Sequence, residues 1–371
     1  MVLFIDATNI KAGGGLVHLN SILKFYDQSN TRFNKIYVAA PKATVRSLVI
    51  RKEIIYCQHE LIDDGGYYSL WKWRKFNFYK LLKELNWPVL FCAGTIAPPF
   101  KYPYYTICQN LLPLQYKELF RFGFSLVTLR LLFLRVVHLH AYKHAKGVIF
   151  LTQYCYDVLP KSYKGKITNV EVIPHGVDQT IFKPLKLEMD KNNYFRIIYV
   201  SIIDQYKHQD KVAQAVINLN KKSLNVKLTL VGPSYAPSLQ KLNRVIQSNV
   251  EAPKWIRYLG KLSQQQQVEE YVTNDLCLIA SSCESFGMIL TESMALGMPT
   301  VCSNAGSLKE IAGDAVLYFN PTDVASIEQV IERAMKSSSL RLELGKKALL
   351  RAKNFSWEST SKKTFEFLSK S

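Results

Sequence analysis

The segment ESFGMILTESMALGMPT, which runs from Glu284, carries two carboxylates, Glu284 and Glu292, separated by seven uncharged residues. A carboxylate only accepts hydrogen bonds, and one taken out of water without donors forfeits much of its hydration energy. Acids at both ends of this spacing in an otherwise apolar stretch therefore face water, or face a polar ligand that replaces water.

The elements around this segment repeat one pattern. FRIIYVSII (195–203), VKLTLVGP (226–233), IRYLGKL (256–262), DLCLIASS (275–282) and PTVCSN (299–304) read as buried strands. Helix-length stretches such as DKVAQAVINLNKKS (210–223) and TESMALG (291–297) lie between them, and a long helix runs through 326–336. Strand and helix alternating over short links predict a doubly wound parallel sheet.

The first half opens the same way. LFIDATN is a strand, and the glycines that follow, Gly14 and Gly15 among them, open the helix VHLNSILKFY. Such a turn either leaves backbone N–H groups free for a phosphate or simply reverses the chain. Further strands are expected at KIYVAA, EIIYCQ, PVLFCAG, YYTICQN and KGVIFLT. The Pro-His-Gly turn in NVEVIPHGVD places a boundary at 176, with Gly176 expected to take an unusual φ. The resulting domains are 1–176 and 177–354, each of a size that buries its own core.

Composition narrows the class. The 371 residues are 48% hydrophobic and show no repeat, no disorder signature and no uncharged run long enough to span a bilayer. Seven scattered cysteines without a CxxC pair argue against a zinc site or a disulfide framework. The N-terminus reads as a strand, not as a signal peptide. The formal charge of +19 calls for an anionic partner, and residues 1–150 hold 20 Lys and Arg against 8 Asp and Glu. Within 114–146, helical spacing puts Lys117, Arg121, Arg135, Lys143 and Lys146 on one stripe with His138 at its edge. That stripe is either a solvated face or a basic surface for an anionic membrane, and the run YYSLWKWRKFNFYKLLK (67–83) adds aromatics between cations.

The segment from Glu284 to Pro321 resembles the donor-binding region of retaining glycosyltransferases of family 4. Its Glu-x7-Glu pattern matches that family's acids, and SLKEIAGDA matches the small-residue segment after them. The resemblance is specific over 195–320 and looser at PHGVD, YVSIIDQYKHQ and the opening glycines. TICQNLLPL and AKGVIFLTQY look like the N-terminal half of bacterial members that build surface polysaccharides.

The resemblance implies the GT-B fold: two Rossmann-like doubly wound domains facing across a cleft, with a C-terminal helix (about 355–371) crossing back to the first. It implies a nucleotide-diphosphate sugar as donor, no metal or other cofactor, and transfer with retention. A helix beginning near Ser285–Phe286 would aim the N–H groups of Phe286, Gly287 and Met288 at the diphosphate or sugar. Glu292, a turn deeper on the face of Met288, would take the ribose hydroxyls, and Glu284 the sugar hydroxyls. The family's basic pair is an Arg followed five residues later by a Lys; Lys207 matches the Lys, and Ile202 stands where the family has the Arg. His208 or a first-domain residue could substitute. A first-domain side chain beside the reacting carbon has candidates in Asn110, His59 and His18, with Asn110 favoured because it follows an apolar strand.

The acceptor implied is a lipid-linked oligosaccharide or lipopolysaccharide at the inner face of the cytoplasmic membrane, with the protein cytoplasmic and peripheral. The same fold also serves sugar-nucleotide epimerases and phosphorylases, for which Asp63 and Asp64 are the available first-domain acids. A non-catalytic basic protein binding membrane or nucleic acid is the remaining alternative; no nucleic-acid motif accompanies the charge.

Overall fold

Among the described residues, short runs of Val, Ile, Leu and Phe form strands that pair only in parallel, and the central strands of each sheet are buried. The computed structural model describes residues 1–185 and 193–370. They form two units. One holds Met1–Leu114, Ser125–Gly176 and the residues from Ser356; the other holds Gln115–Phe124 and Val177–Phe355.

In the first unit, strands β1 (Val2–Asp6), β2 (Lys35–Ala39), β3 (Ile54–Cys57), β4 (Val89–Cys92), β5 (Tyr104–Cys108), β6 (Gly147–Phe150) and β7 (Val170–Val172) form a sheet of order 3-2-1-4-5-6-7. Ile5 of β1 faces Val38 of β2 on one side and Phe91 of β4 on the other. The helix Gly13–Lys24 follows β1, and its first turn starts from Gly13 at φ +70. In the second unit, β8 (Phe195–Val200), β9 (Val226–Val231), β10 (Ile256–Tyr258), β11 (Leu276–Ile279), β12 (Thr300–Ser303) and β13 (Leu317–Phe319) take the order 10-9-8-11-12-13. Ile198 of β8 lies between Thr229 of β9 and Cys277 of β11. The strand order therefore reverses at β1/β4 in one sheet and at β8/β11 in the other. In open α/β sheets such reversals leave crevices beyond the strands' C-terminal ends.

The final helix, Trp357–Ser369, is part of the first unit, as the GT-B expectation requires. Ser361 Oγ donates to the Ile22 carbonyl at 2.8 Å, and Phe365 meets Tyr26 edge-on at 5.0 Å. Residue 371 lies outside the described residues. Gly176 does not take the unusual φ expected of it. It is glycine because a Cβ there would sit 2.2 Å from the Trp357 nitrogen.

The long basic helix expected over 114–146 is instead broken. Tyr116–Leu119 is a single turn, Gly123 takes φ +61, and Ser125 caps a new helix, Leu126–His144, by accepting the Thr128 N–H. The stripe dissolves accordingly. Arg121 pairs with Glu118 in the second unit, while Arg135 and His138 are buried in the first. Arg135 Nη1 donates to the Leu114 carbonyl at 2.6 Å. The outward face of Leu126–His144 carries Leu126, Leu129, Phe133 and Val136, 63–84% exposed, beside the exposed Arg130, His140, Lys143 and His144. No helix among the described residues is long and apolar enough to cross a membrane.

Candidate active site

Both loops at the β8/β11 reversal carry residues singled out from the sequence. The loop after β8 makes one tight turn at Gln205–Lys207, capped by Asp204, whose side chain accepts the Gln205 N–H at 2.7 Å. Tyr199 of β8 donates its hydroxyl to the Lys207 carbonyl at 2.8 Å and so holds the turn from beneath. The loop after β11 carries Glu284, whose carbonyl accepts Ser307 Oγ at 3.0 Å. The side chains meet: Lys207 Nζ is hydrogen-bonded to Glu284 Oε1. Burial alone would lower the Lys207 ammonium, but Glu284 and Tyr199 beside it hold it above its ordinary value.

The helix expected near Ser285–Phe286 begins at Met288 and runs to Ala295. Gly287 takes φ +92 just before it, and a Cβ there would lie 2.7 Å from Leu308 Cδ2, so the turn demands glycine twice over. Leu290 and Thr291 donate to the Gly287 carbonyl, which leaves the Met288 and Ile289 amides at the open end of the helix. Phe286 contributes backbone only, since its ring is buried edge-on against Phe355 at 5.5 Å. Ser285 is half-buried.

Glu292 sits one turn into that helix, 7% exposed, and its Oε2 has no hydrogen-bond partner. Burial pushes its carboxyl up to about 8. A buried acceptor left open in this way is what a diol would satisfy. Ile202 is 36% exposed and brings no charge to the place where a second cation was expected.

The remaining sequence candidates lie in the first unit. Gly14 and Gly15 form the first turn of the helix after β1, and a Cβ on Gly15 would lie 3.1 Å from Gln109 Oε1 at the end of β5. Asn110 is next to Gln109, exposed, and its Oδ1 accepts the Leu112 N–H at 3.0 Å. His18 does not reach a site of this kind: it is buried, with Nδ1 3.1 Å from His175 Nδ1. His59 caps a turn through the Leu61 N–H. Asp63 accepts the Lys42 N–H from 21 residues away and Asp64 accepts the Ser69 hydroxyl, so both acids are engaged in hydrogen bonds within the first unit. Among the described residues, no group of three or more His, Cys, Asp or Glu is placed to hold a metal ion.

Glu118, Ser282 and His208 escaped the sequence reading, His208 having been weighed only as a spare cation. Ser282 Oγ donates to Glu118 Oε2 at 2.5 Å and meets His208 Nε2 at 2.9 Å. One signal was visible: Glu118 is the only acid between residues 85 and 156.

Two parallel sheets, each with a strand-order reversal, and a Lys–Glu pair beside an open helix end in the second, define a two-Rossmann protein of the GT-B fold. Sucrose-phosphate synthase from Thermosynechococcus elongatus has this architecture, with TM-score 0.79 and 16% identity over 98% of this chain and 97% of that one. So does Anabaena Alr3699/HepE in complex with UDP, with TM-score 0.70 and 17% identity over the whole of both chains. Residues 179–351 match the family Glycosyl transferases group 1. In sequence the chain is similar to O-antigen chain mannosyltransferase B of Escherichia coli, 37% identical over 110 residues, which make up 30% of this chain and 29% of that protein. The chain thus spans less than a third of that relative's length.

Proposed function

We propose that the protein is a retaining, metal-independent glycosyltransferase. It moves a sugar from a nucleotide-diphosphate donor to a lipid-linked oligosaccharide or lipopolysaccharide acceptor in bacterial surface polysaccharide synthesis. The observation that carries this reading is the unpartnered Glu292 Oε2, set one turn below the open Met288 and Ile289 amides and accompanied at the β8/β11 reversal by Lys207 and Glu284. A nucleotide sugar supplies a counterpart for each group. Its ribose diol donates to Glu292, its diphosphate meets the amides and the Lys207 ammonium, and its sugar hydroxyls donate to Glu284.

In the step itself the bond from the anomeric carbon to the β-phosphate oxygen breaks and a bond to the acceptor oxygen forms on the same face. The acceptor's proton passes to the departing phosphate, and nucleoside diphosphate leaves. Lys207 and the helix end stabilise the charge that develops on that leaving group, a preorganised contribution worth roughly 10²–10³-fold in rate. On this reading Gly14 and Gly15 are donor-binding residues and Asn110 is the first-domain catalytic side chain. The binding of UDP by the Anabaena neighbour and the O-antigen chemistry of the E. coli relative support the donor and acceptor classes.

The acceptor chemistry also calls for an anionic bilayer as partner, met from the cytoplasmic side by a peripheral protein. The first unit offers a surface for it. Leu126, Leu129, Phe133 and Val136 stand outward on one helix. On the rod formed by Tyr67–Lys72, Trp73–Phe78 and Tyr79–Glu84, Lys72 lies 4.6 Å over the Tyr68 ring and Lys75 4.8 Å over Trp71. Exposed apolar groups interleaved with cations suit the interface of an anionic bilayer.

The test is nucleoside diphosphate release from a panel of sugar nucleotides in EDTA, with and without bacterial lipid extract. Release from one donor, raised by lipid and abolished by Glu284→Ala, is the expected result. No release from any donor with lipid present would overturn the transferase reading, and release only with added divalent metal would overturn the metal-independent mechanism.

A further inference from the structure

Residues Gln115–Phe124 are contributed to the second unit from the middle of the first unit's sequence. Within this strap Glu118 is 5% exposed and is gripped by Arg121 in a two-pronged pair, Nε to Oε2 at 2.6 Å and Nη2 to Oε1 at 3.1 Å. Both oxygens of a carboxylate so held accept from the guanidinium, and its remaining lone pairs accept as well. The Ser282 hydroxyl therefore donates to it, and the 2.9 Å contact between Ser282 Oγ and His208 Nε2 requires the proton to sit on His208 Nε2. The chain of donors runs in one direction, from His208 to Ser282 to Glu118.

The two residues that this chain ties together flank the site. His208 directly follows Lys207, and Ser282 precedes Glu284 by two residues. Ser282 is held a second time by its own N–H, which donates to the Tyr206 carbonyl at 2.8 Å. His208 takes φ +53, a left-handed backbone that a non-glycine residue keeps only when its surroundings impose it. Its buried imidazole, fixed by Ser282, is the visible restraint. The strap is anchored further by Phe122, whose ring meets Tyr235 edge-on at 5.9 Å.

We infer that the Arg121–Glu118–Ser282–His208 chain sets the relative placement of Lys207 and Glu284, with Glu118 and Ser282 as positioning residues that touch no substrate. The inference rests on the reading of that pair as the site of sugar transfer. Its structural part, that the chain holds two loops in register, is read separately from activity.

The experiment compares the full-length native protein with Ser282→Ala, Glu118→Ala, Glu118→Gln and the Ser282→Ala/Glu118→Ala double variant. Hydrogen exchange by mass spectrometry reports the loops 201–209 and 280–288, and nucleoside diphosphate release reports turnover. Both loops are expected to exchange faster in each Ala variant while peptides elsewhere are unchanged. Turnover at saturating donor is expected to fall about ten- to a hundred-fold, as for a small misplacement of reacting groups. The donor KM should stay within about threefold, because no binding contact has been removed. The double variant should be no slower than the slower single one, since each change breaks the same chain. Glu118→Gln, which keeps an acceptor for Ser282, should retain more activity than Glu118→Ala.

Unchanged exchange in both loops overturns the inference, as does loosened exchange with native turnover. Should the native protein release nothing from any donor, the transferase reading falls, and faster exchange in both loops would still support the hold on Lys207 and Glu284.

Discussion

Lys207 Nζ is hydrogen-bonded to Glu284 Oε1 across 77 residues of chain, because β8 and β11 are neighbours and each loop leaves its strand at the same end of the sheet. The two charges neutralise each other, and on the proposed function a nucleotide-sugar donor divides the pair. Lys207→Ala is expected to lower donor turnover by roughly 10²–10³-fold, the scale seen when a preorganised stabiliser of developing charge is removed. Glu284→Gln should be milder than Glu284→Ala, since an amide oxygen still accepts from a sugar hydroxyl. Steady-state release of nucleoside diphosphate checks both. A change confined to KM would make the lysine a binding residue and not one that stabilises the leaving group.

Glu292 gives the site a signature in stability. Burial raises its folded value to about 8 from 4.5. Between those values the unfolded chain has released a proton that the fold retains, so the stability linked to this group is full below about 4.5 and is lost as the pH rises toward 8. Glu292→Gln removes the dependence. Urea unfolding without nucleotide should show the variant gaining on the native protein between pH 5 and 8, by on the order of a few kcal/mol. The same change should weaken nucleotide affinity about tenfold or more, because the amide offers one accepting oxygen where the carboxylate offers two to the diol. A constant difference across that pH range would mean that Glu292 is ionised and already satisfied.

Much of this was legible in the sequence because it is local. Runs such as FRIIYVSII and DLCLIASS are β-branched and apolar over strand length, and Glu284 and Glu292 sit at a spacing that a single turn-and-helix explains. Features that depend on backbone handedness or distant partners were not. Gly287 at φ +92 delays its helix to Met288, and Gly123 at φ +61 breaks the expected basic helix; hydrophobic periodicity carries no information about either. Arg135 reads as a surface cation by spacing, yet it is buried because two carbonyls of an earlier turn, at Pro113 and Leu114, receive its guanidinium. Ser282 and Glu118 lie 164 residues apart, and no local pattern joins them.

His18 and His175 place a second pH dependence on the acid side. Their Nδ1 atoms are 3.1 Å apart, one donating to the other, beneath the Trp357 ring. Burial pushes His18 down to about 3, and burial together with His18 holds His175 well below its usual range. The unfolded chain takes up protons below about 6.5 that the fold refuses. The stability is therefore full above that pH and is lost as the pH falls toward 3. His18→Gln, which can still hydrogen-bond His175, should lose about 1 kcal/mol less per pH unit than the native protein between pH 6 and 4. Equal slopes for the two would show that one of the imidazoles is charged in the fold.

Arg74 and Asp6 bear on the first unit's own switch point. The rod Tyr67–Glu84 widens to π spacing at Trp73–Phe78, and this turn brings Arg74 Nη2 to 2.7 Å from Asp6 Oδ2 at the end of β1. Thr8 occupies the other oxygen, its hydroxyl donating to Asp6 Oδ1 at 2.7 Å. Both charges are buried, so removing one leaves the other without compensation. Arg74→Met is expected to cost about 3–5 kcal/mol in urea unfolding. Asp6→Asn in that background should recover part of the loss, because an amide strands no charge. The double-mutant cycle should report a coupling of about 1–3 kcal/mol. A loss below about 1 kcal/mol for Arg74→Met, the level of an exposed ion pair, would mean that water reaches Asp6, and β1 would then end in an open crevice and not in a closed ion pair.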